Sequence, residues 1–357
     1  MAVPSSSKLD QLEAQLSLNW QVIRASRNAT QQRRAELTGA FASRGSPDTS
    51  LVVFGSVARE EVTTGSDLDW ILLIDGQSVP EHKEQEREIE RILIERKFIK
   101  PGASGVFGKM VASHDLVHNI GGEDDLNSNT TRRVLLLLES YPVGNRETYD
   151  RVRRQIIRRY LGDDRGLTHA SADVRIPRFL LNDLTRYWRT VTVDFVYKQV
   201  AESDEKWALR NAKLRMSRKL IFAAGLAHIF FCHLDPSAAA ARAALLSSRD
   251  VSLLTVYLEQ ELALPPLEMI AKACVDLRIT ESTCRAIFDS YDKFLGILDD
   301  PDKRSELAKA RTHDDLRNSA AWEEIRAVSV PFHEGLVSLF LQEHHELRNL
   351  TMKYGLF

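Results

Sequence analysis

A chain of 357 residues has room for two domains, and 43% hydrophobic with 27% charged residues is the balance of an ordinary globular protein. A formal net charge of −2 excludes a protein that grips nucleic acid over its whole surface, so any such contact has to come from a local patch. Cys232, Cys274 and Cys284 have neither CxxC nor zinc-ligand spacing, and MAVPSSSK lacks the regions of a signal peptide; a cytoplasmic location is expected.

Leu9 to Phe41 reads as one or two helices, with apolar residues at Leu9, Leu12, Leu16, Trp20 and Ile23. Ala42 to Ser50 has the composition of a loop. Leu51-Val52-Val53-Phe54 is a buried-strand run, and Gly55-Ser56 ends it. Val57 to Glu61 can start a short helix, Thr63 to Ser66 reads as a turn, and Asp67 to Ile74 as a second strand. Residues two apart in a strand share a face, so Asp67 and Asp69 hold their carboxylates side by side. Two such groups repel unless a cation sits between them, which suits Mg²⁺ or Mn²⁺ shared with substrate phosphates. Gly55 lets backbone approach a phosphate, the following helix start favours an anion, and Ser56 adds a hydroxyl. A phosphate cradle beside a metal-binding acid pair is the minimum equipment for metal-assisted nucleotidyl transfer.

Gly55-Ser56, a short helix, then Ser66-Asp67-Leu68-Asp69 within an apolar strand resembles the DNA polymerase β-type nucleotidyltransferase superfamily. The resemblance implies an α+β fold, a mixed sheet with helices followed by an all-helical domain. The expected division is a helical segment at 1–44, a nucleotidyltransferase domain at 45–145 and a helical domain at 146–357. It also implies that Asp67 and Asp69 hold Mg²⁺ (or Mn²⁺), and that Gly55, Ser56 and Ser66 meet the nucleotide. Transfer of a nucleoside monophosphate from an NTP to an acceptor, with release of pyrophosphate, is the implied reaction.

Beyond the second strand, Glu81 to Arg96 is a densely charged helix with Ile89, Ile92 and Leu93 on one face. Lys100 to Gly108 is glycine-rich but lacks the ending of a P-loop. Superfamily members carry a third carboxylate on a later strand, and the apolar run Val106 to Val111 has none. Asp115 is the nearest candidate for that catalytic acid, ahead of Glu123, Asp124 and Asp125. Gly105 to Ser140 is similar to the region after the catalytic strands in the bacterial PII uridylyltransferase group and its nucleotidyltransferase relatives. That likeness favours a protein side chain as acceptor over RNA or a small molecule. Arg132 and Arg133 open a helix there, as phosphate ligands or as a solvated pair.

From Tyr149 onward the periodicity is helical throughout. In polymerase β-like enzymes a helical domain closes over the nucleotide and lends cations to its phosphates. By position Arg186, Arg189, Lys213, Arg215 and Lys219 would do so here, unless they pair with acids such as Asp183 and Asp194. The apolar stretch Leu220 to Leu234 is interrupted by Gly225, His228 and His233, so no membrane span is expected. Glu281 to Leu298 and Trp322 to Tyr354 are further amphipathic helices, the latter expected to break near Pro331. Adjacent His344 and His345 point to different sides of a helix and do not make a metal site. The alternative to an enzyme is a nucleotide-binding subunit, weak or inactive as a catalyst, whose helical half docks a partner protein in a toxin–antitoxin or defence system.

Overall fold

Strands buried on both faces have no place for polar side chains, and the two apolar runs of the sequence become the centre of a mixed sheet. The computed structural model describes residues 7–41, 46–101, 105–169, 174–201, 206–311 and 313–355; the expected loop at 42–50 and the glycine-rich stretch at 100–108 lie partly outside them. The chain runs α1 (Lys8–Gln15), α2 (Gln21–Phe41), β1 (Thr49–Phe54), α3 (Ser56–Arg59), β2 (Trp70–Ile74), α4 (Pro80–Glu95), β3 (Lys109–Ala112), α5 (Ser113–Val117), α6 (Asn127–Leu138) and β4 (Ser140–Pro142). Helices follow: α7 (Arg146–Asp163), α8 (Arg165–Thr168), α9 (Arg178–Ala201), α10 (Trp207–Lys213), a π turn (Leu214–Arg218) and α11 (Lys219–Leu234). Further on come α12 (Ala239–Ser248), α13 (Ser252–Glu261), α14 (Pro266–Asp276), α15 (Glu281–Asp299), α16 (Pro301–Lys309), α17 (His313–Arg317), α18 (Ala320–Ser338) and α19 (His345–Leu350). The protein is α+β, a small sheet followed by a largely helical region.

The strand order is β3-β2-β1-β4. β1 is antiparallel to β2, with Val53 opposite Trp70, and antiparallel to β4, with Phe54 opposite Ser140. β3 runs parallel to β2, with Ile71 opposite Lys109. The two-residue period then sorts the faces. Leu51, Val53, Trp70, Leu72 and Ile74 pack with Leu37, Phe41, Ile89, Ile92 and Leu93 of α2 and α4. Val52, Phe54, Ile71 and Leu73 join one core that continues into the helical half.

The N-terminal helices tie the two halves together. The far end of α2 covers the sheet through Leu37 and Phe41, while its start caps onto α15, where Asp292 accepts the amides of Val22 and Ile23 at 2.9 Å each. Trp20 stacks on Phe288 at 4.8 Å, and Ser7 Oγ donates to Glu268 of α14 at 2.7 Å. Among the described residues no single helix is long and apolar enough to cross a membrane. The break expected near Pro331 falls instead at His344: α18 passes through Pro331, and His344 turns extended to cap α19 with its Nδ1.

Candidate active site

β1 ends at Phe54, and Gly55 then takes φ 71°, ψ −145°. That region is essentially confined to glycine. A Cβ on Gly55 would lie 3.5 Å from Asp69 Oδ2, an ordinary contact, so the backbone conformation and not crowding calls for glycine here. Antiparallel pairing of β1 with β2 sets the Gly55-Ser56 turn beside the approach to β2, where Asp67 and Asp69 stand. Regular pairing begins only at Trp70, although Asp69 still accepts the Phe54 amide through its carbonyl at 2.9 Å. Ser66 closes the preceding turn by accepting the Thr63 amide at 3.0 Å. The helical half holds that turn too: Asp299 accepts the Thr64 amide and hydroxyl at 2.8 Å each, and the Arg304 guanidinium donates to the Gly65 carbonyl.

The acids face two adjoining spaces, an inner one of about 160 Å³ and an outer one of about 560 Å³. Both are lined by Asp67, Asp69, Phe107, Lys213, Arg218 and Arg304. Lys213 Nζ stands 3.6 Å from Asp67 Oδ1. Burial would raise both acids, but the Lys213 charge holds Asp67 below the usual carboxylate range. Asp69, more deeply buried and next to the Asp67 charge, is pushed up to about 7. Burial pulls Lys213 down in turn.

The helix that brings Lys213 is not a plain α-helix. A π turn over Leu214–Arg218 separates α10 from α11, and such bulges are frequent at functional sites. Its wider turn stacks residues five apart, so Lys213 and Arg218 reach one cavity, with Ser217 between them.

The structure brings together Gly55, Ser56, Ser66, Asp67, Asp69 and Lys213. Other expected residues go elsewhere, and each has a physical reason. Asp115 lies in α5, after the C-terminal end of β3; since β3 and β2 are parallel, this is the opposite end of the sheet from the acid pair. Among the described residues it accepts a long 3.4 Å hydrogen bond from Asn119, and its charge acts on Arg132. Arg186 pairs with buried Asp125 at 2.7 Å, and with exposed Arg189 it lines a separate cavity. Arg215 lies over the Trp322 ring at 5.5 Å and donates to Asn211 at 3.0 Å. Lys219 lies one residue past the π turn, outside the set lining either space, and burial, with the Arg215 charge, pulls it down. Arg132 braces the segment before β3 by donating to the Val106 carbonyl at 2.8 Å. Arg133 is fully buried and bridges Asp125 at 2.9 Å and Asp183 at 2.5 Å, a structural network.

Sequence reasoning missed Arg59, Glu61, Glu139, Arg218 and Arg304. Glu139 caps α6, and because Phe54 pairs with Ser140, the next position along places Glu139 opposite Gly55. Its Oε1 accepts the Gly55 amide at 2.9 Å and its Oε2 accepts Arg59 Nη1 at 2.6 Å. Arg59 and Glu61 stand in the same stretch as the acids and were legible there as charged residues beside a site. Ser56 Oγ, shielded from solvent, has no hydrogen-bond partner among the described residues.

No curated protein sequence matches the chain. Residues 35–103 match the family model of the nucleotidyltransferase domain, a span from the second half of α2 through the Gly55-Ser56 turn, the acid pair and α4. At residues 35–103, then, the chain is similar to nucleotidyltransferase domains, consistent with the DNA polymerase β-type superfamily that its Gly-Ser and Asp-x-Asp elements resemble.

Proposed function

We propose that the cleft between the sheet and the helical half binds an NTP with Mg²⁺ and transfers its nucleoside monophosphate to an acceptor. The observation that carries this reading is the acid pair set against the Gly55-Ser56 turn, with Asp69 pushed up to about 7 by burial and by its neighbour. A carboxylate pair that resists double ionisation, open to a cavity, has the hard-oxygen donors that Mg²⁺ takes, with substrate phosphates completing the shell. Among the described residues no group of three or more His, Cys, Asp or Glu side chains could hold a metal ion by itself. When bound there, the ion supplies charge neutralisation and Lewis acidity at the α-phosphate.

The side chains have separable roles. Asp67 and Asp69 hold the ion at the start of β2. The Ser56 hydroxyl, buried at the turn with no hydrogen-bond partner among the described residues, is a donor for a phosphate oxygen brought to that turn. Lys213 and Arg218 offset triphosphate charge from the helical side, and the Arg304 charge lies near Asp67. An acceptor oxygen then bonds to the α-phosphorus, the bond to the β-phosphate oxygen breaks, pyrophosphate leaves, and the acceptor's proton passes to water. The acceptor itself is a protein side chain, an RNA end or a small molecule, and likeness to the PII-modifying group favours the first.

The test is incubation with each α-labelled NTP, Mg²⁺ and a cell lysate, followed by asking whether label reaches protein, RNA or a soluble product. An Asp67→Ala/Asp69→Ala variant that still consumed the label would overturn the reading. The run Val106 to Val111, without an acid where superfamily members place a third carboxylate, favours a second reading, a nucleotide-binding subunit that docks a partner. Tight NTP binding by calorimetry with no pyrophosphate released, across many acceptors, would establish that one instead.

A further inference from the structure

We infer that Tyr291 of α15 is a positioning residue for the Gly55-Ser56 turn, acting through Glu61, Arg59 and Glu139; this rests on the reading of that turn as the phosphate cradle. The bonds form an unbroken series. The Tyr291 hydroxyl donates to Glu61 Oε1 at 2.8 Å, and Glu61 Oε2 accepts Arg59 Nε at 2.7 Å. Arg59 Nη1 donates to Glu139 Oε2 at 2.6 Å, and Glu139 Oε1 accepts the Gly55 amide at 2.9 Å. Each carboxylate is gripped at both oxygens, so a shift at one link is handed to the next.

Stability alone does not call for such an arrangement. Side-chain exposures of 12% for Arg59, 1% for Glu61 and 6% for Glu139 put two carboxylates and one guanidinium out of water. Apolar residues of similar volume commonly hold a core together as well or better than buried ion pairs do. What the charges add is orientation at Gly55, the residue with the least conformational restraint of its own. Held by Glu139, the turn keeps the conformation that places Gly55 and Ser56 in the cavity wall beside Asp69. The Tyr291 hydroxyl also lies 3.3 Å from Ser217 Oγ, in the π turn that carries Lys213 toward Asp67. One hydroxyl therefore touches both the series leading to the turn and the helix that brings the cations.

Tyr291→Phe removes that hydroxyl and keeps the ring against Phe294 and Phe332. Phe294→Leu loosens the same packing without touching Glu61 and serves as the control. Calorimetry on the full chain with Mg²⁺ and ATP, GTP, CTP or UTP, and with the matching monophosphates, reads the effect. Read as the cradle of the β- and γ-phosphates, the turn has no part in holding a monophosphate, so Tyr291→Phe is expected to weaken NTP binding about tenfold and monophosphate binding less than about twofold. Hydrogen exchange at the Gly55 amide should quicken in Tyr291→Phe and stay unchanged in Phe294→Leu. Equal losses for tri- and monophosphate, or unchanged NTP binding, would overturn the inference. If the wild type binds no NTP, the proposed function falls, and the Gly55 exchange rate alone decides the positioning role. Should Tyr291→Phe not fold, Glu61→Gln keeps an oxygen for Tyr291 while loosening Arg59, and must show the same selective loss.

Discussion

Lys213 Nζ lies 3.6 Å from Asp67 Oδ1, an ion pair that carries the helical half across the cleft to the acids of the sheet. It divides the acid pair into unequal members, Asp67 held low by the ammonium and Asp69 pushed up to about 7. On the proposed reading, a divalent ion with its NTP would neutralise the acids and free Lys213 for the phosphates. Lys213→Ala should therefore weaken NTP binding by about 1–3 kcal/mol, the range of a charge-assisted hydrogen bond. Arg215→Ala should leave it unchanged, because Arg215 is exposed and lies over Trp322. Titration calorimetry with the two variants separates these outcomes, and equal losses would refute the assignment.

Asp69 makes the metal-free protein sensitive to pH. Its folded-state pKa of about 7 lies above the ordinary 3.8, so between those values the folded chain keeps a proton that the unfolded chain releases. Its contribution is fully favourable below about pH 4 and is lost as pH rises through about 7. Asp69→Asn has no such loss, and at pH 8 it should be more stable than wild type by on the order of 2–4 kcal/mol. Near pH 4 the two should unfold alike. Millimolar Mg²⁺ should raise the wild-type Tm at pH 8 and leave that of Asp69→Asn nearly unmoved. Thermal unfolding at both pH values, with and without the ion, checks each arm; a variant less stable than wild type at pH 8 would contradict the argument.

The catalytic-looking core was legible because it is local. Gly55-Ser56 and Asp67-Leu68-Asp69 lie within one hairpin, so their nearness is local, although the acids stand just before β2 and not in it, so strand periodicity does not apply to them. Glu139 was hidden because its place depends on the register of β4, three residues long and no stronger than a loop in sequence. The helical cations were chosen by clustering rather than by phase. Arg215 is two residues past Lys213, about 200° around a helix, so the two cannot share a cavity. Arg218 does share it, through a π turn that no α-helical count foresees. Arg186 and Arg189 share a face, but α9 turns that face to Asp125 and a different cavity, and sends Tyr187 toward the acids instead.

Gly55 should resist any substitution. With φ 71° and ψ −145°, a side chain there costs about 1–3 kcal/mol of backbone strain. The added Cβ would also stand 3.5 Å from Asp69 Oδ2, ordinary contact that nonetheless fills the room an ion on that oxygen would use. Gly55→Ala is thus expected to lose both stability and Mg²⁺ response. Gly39→Ala, whose Cβ meets nothing within 4 Å inside helix α2, should be neutral or slightly stabilising. Unfolding by urea, with Mg²⁺ as a variable, compares them.

Glu139 and Asp115 offer the sharpest contrast between what the sequence suggested and what the fold selects. Asp115 is half-buried at the far end of β3, with a long contact to Asn119 and a charge interaction with Arg132, so Asp115→Asn should change stability by no more than about 1 kcal/mol. Mg²⁺ and NTP binding should not respond to it. Glu139→Ala strands the Gly55 amide and Arg59 Nη1 together, both behind a side chain only 6% exposed. Glu61 still pairs with Arg59, so the cost should fall below that of a fully orphaned charge, at about 2–4 kcal/mol. Glu139→Gln keeps an oxygen for Gly55 but turns an amide N–H₂ toward the guanidinium, and should fall between wild type and Glu139→Ala. Urea unfolding of the three variants gives this order. If Asp115→Asn abolished turnover while Glu139→Ala left stability and NTP binding intact, the site would have to be rebuilt around the other end of the sheet.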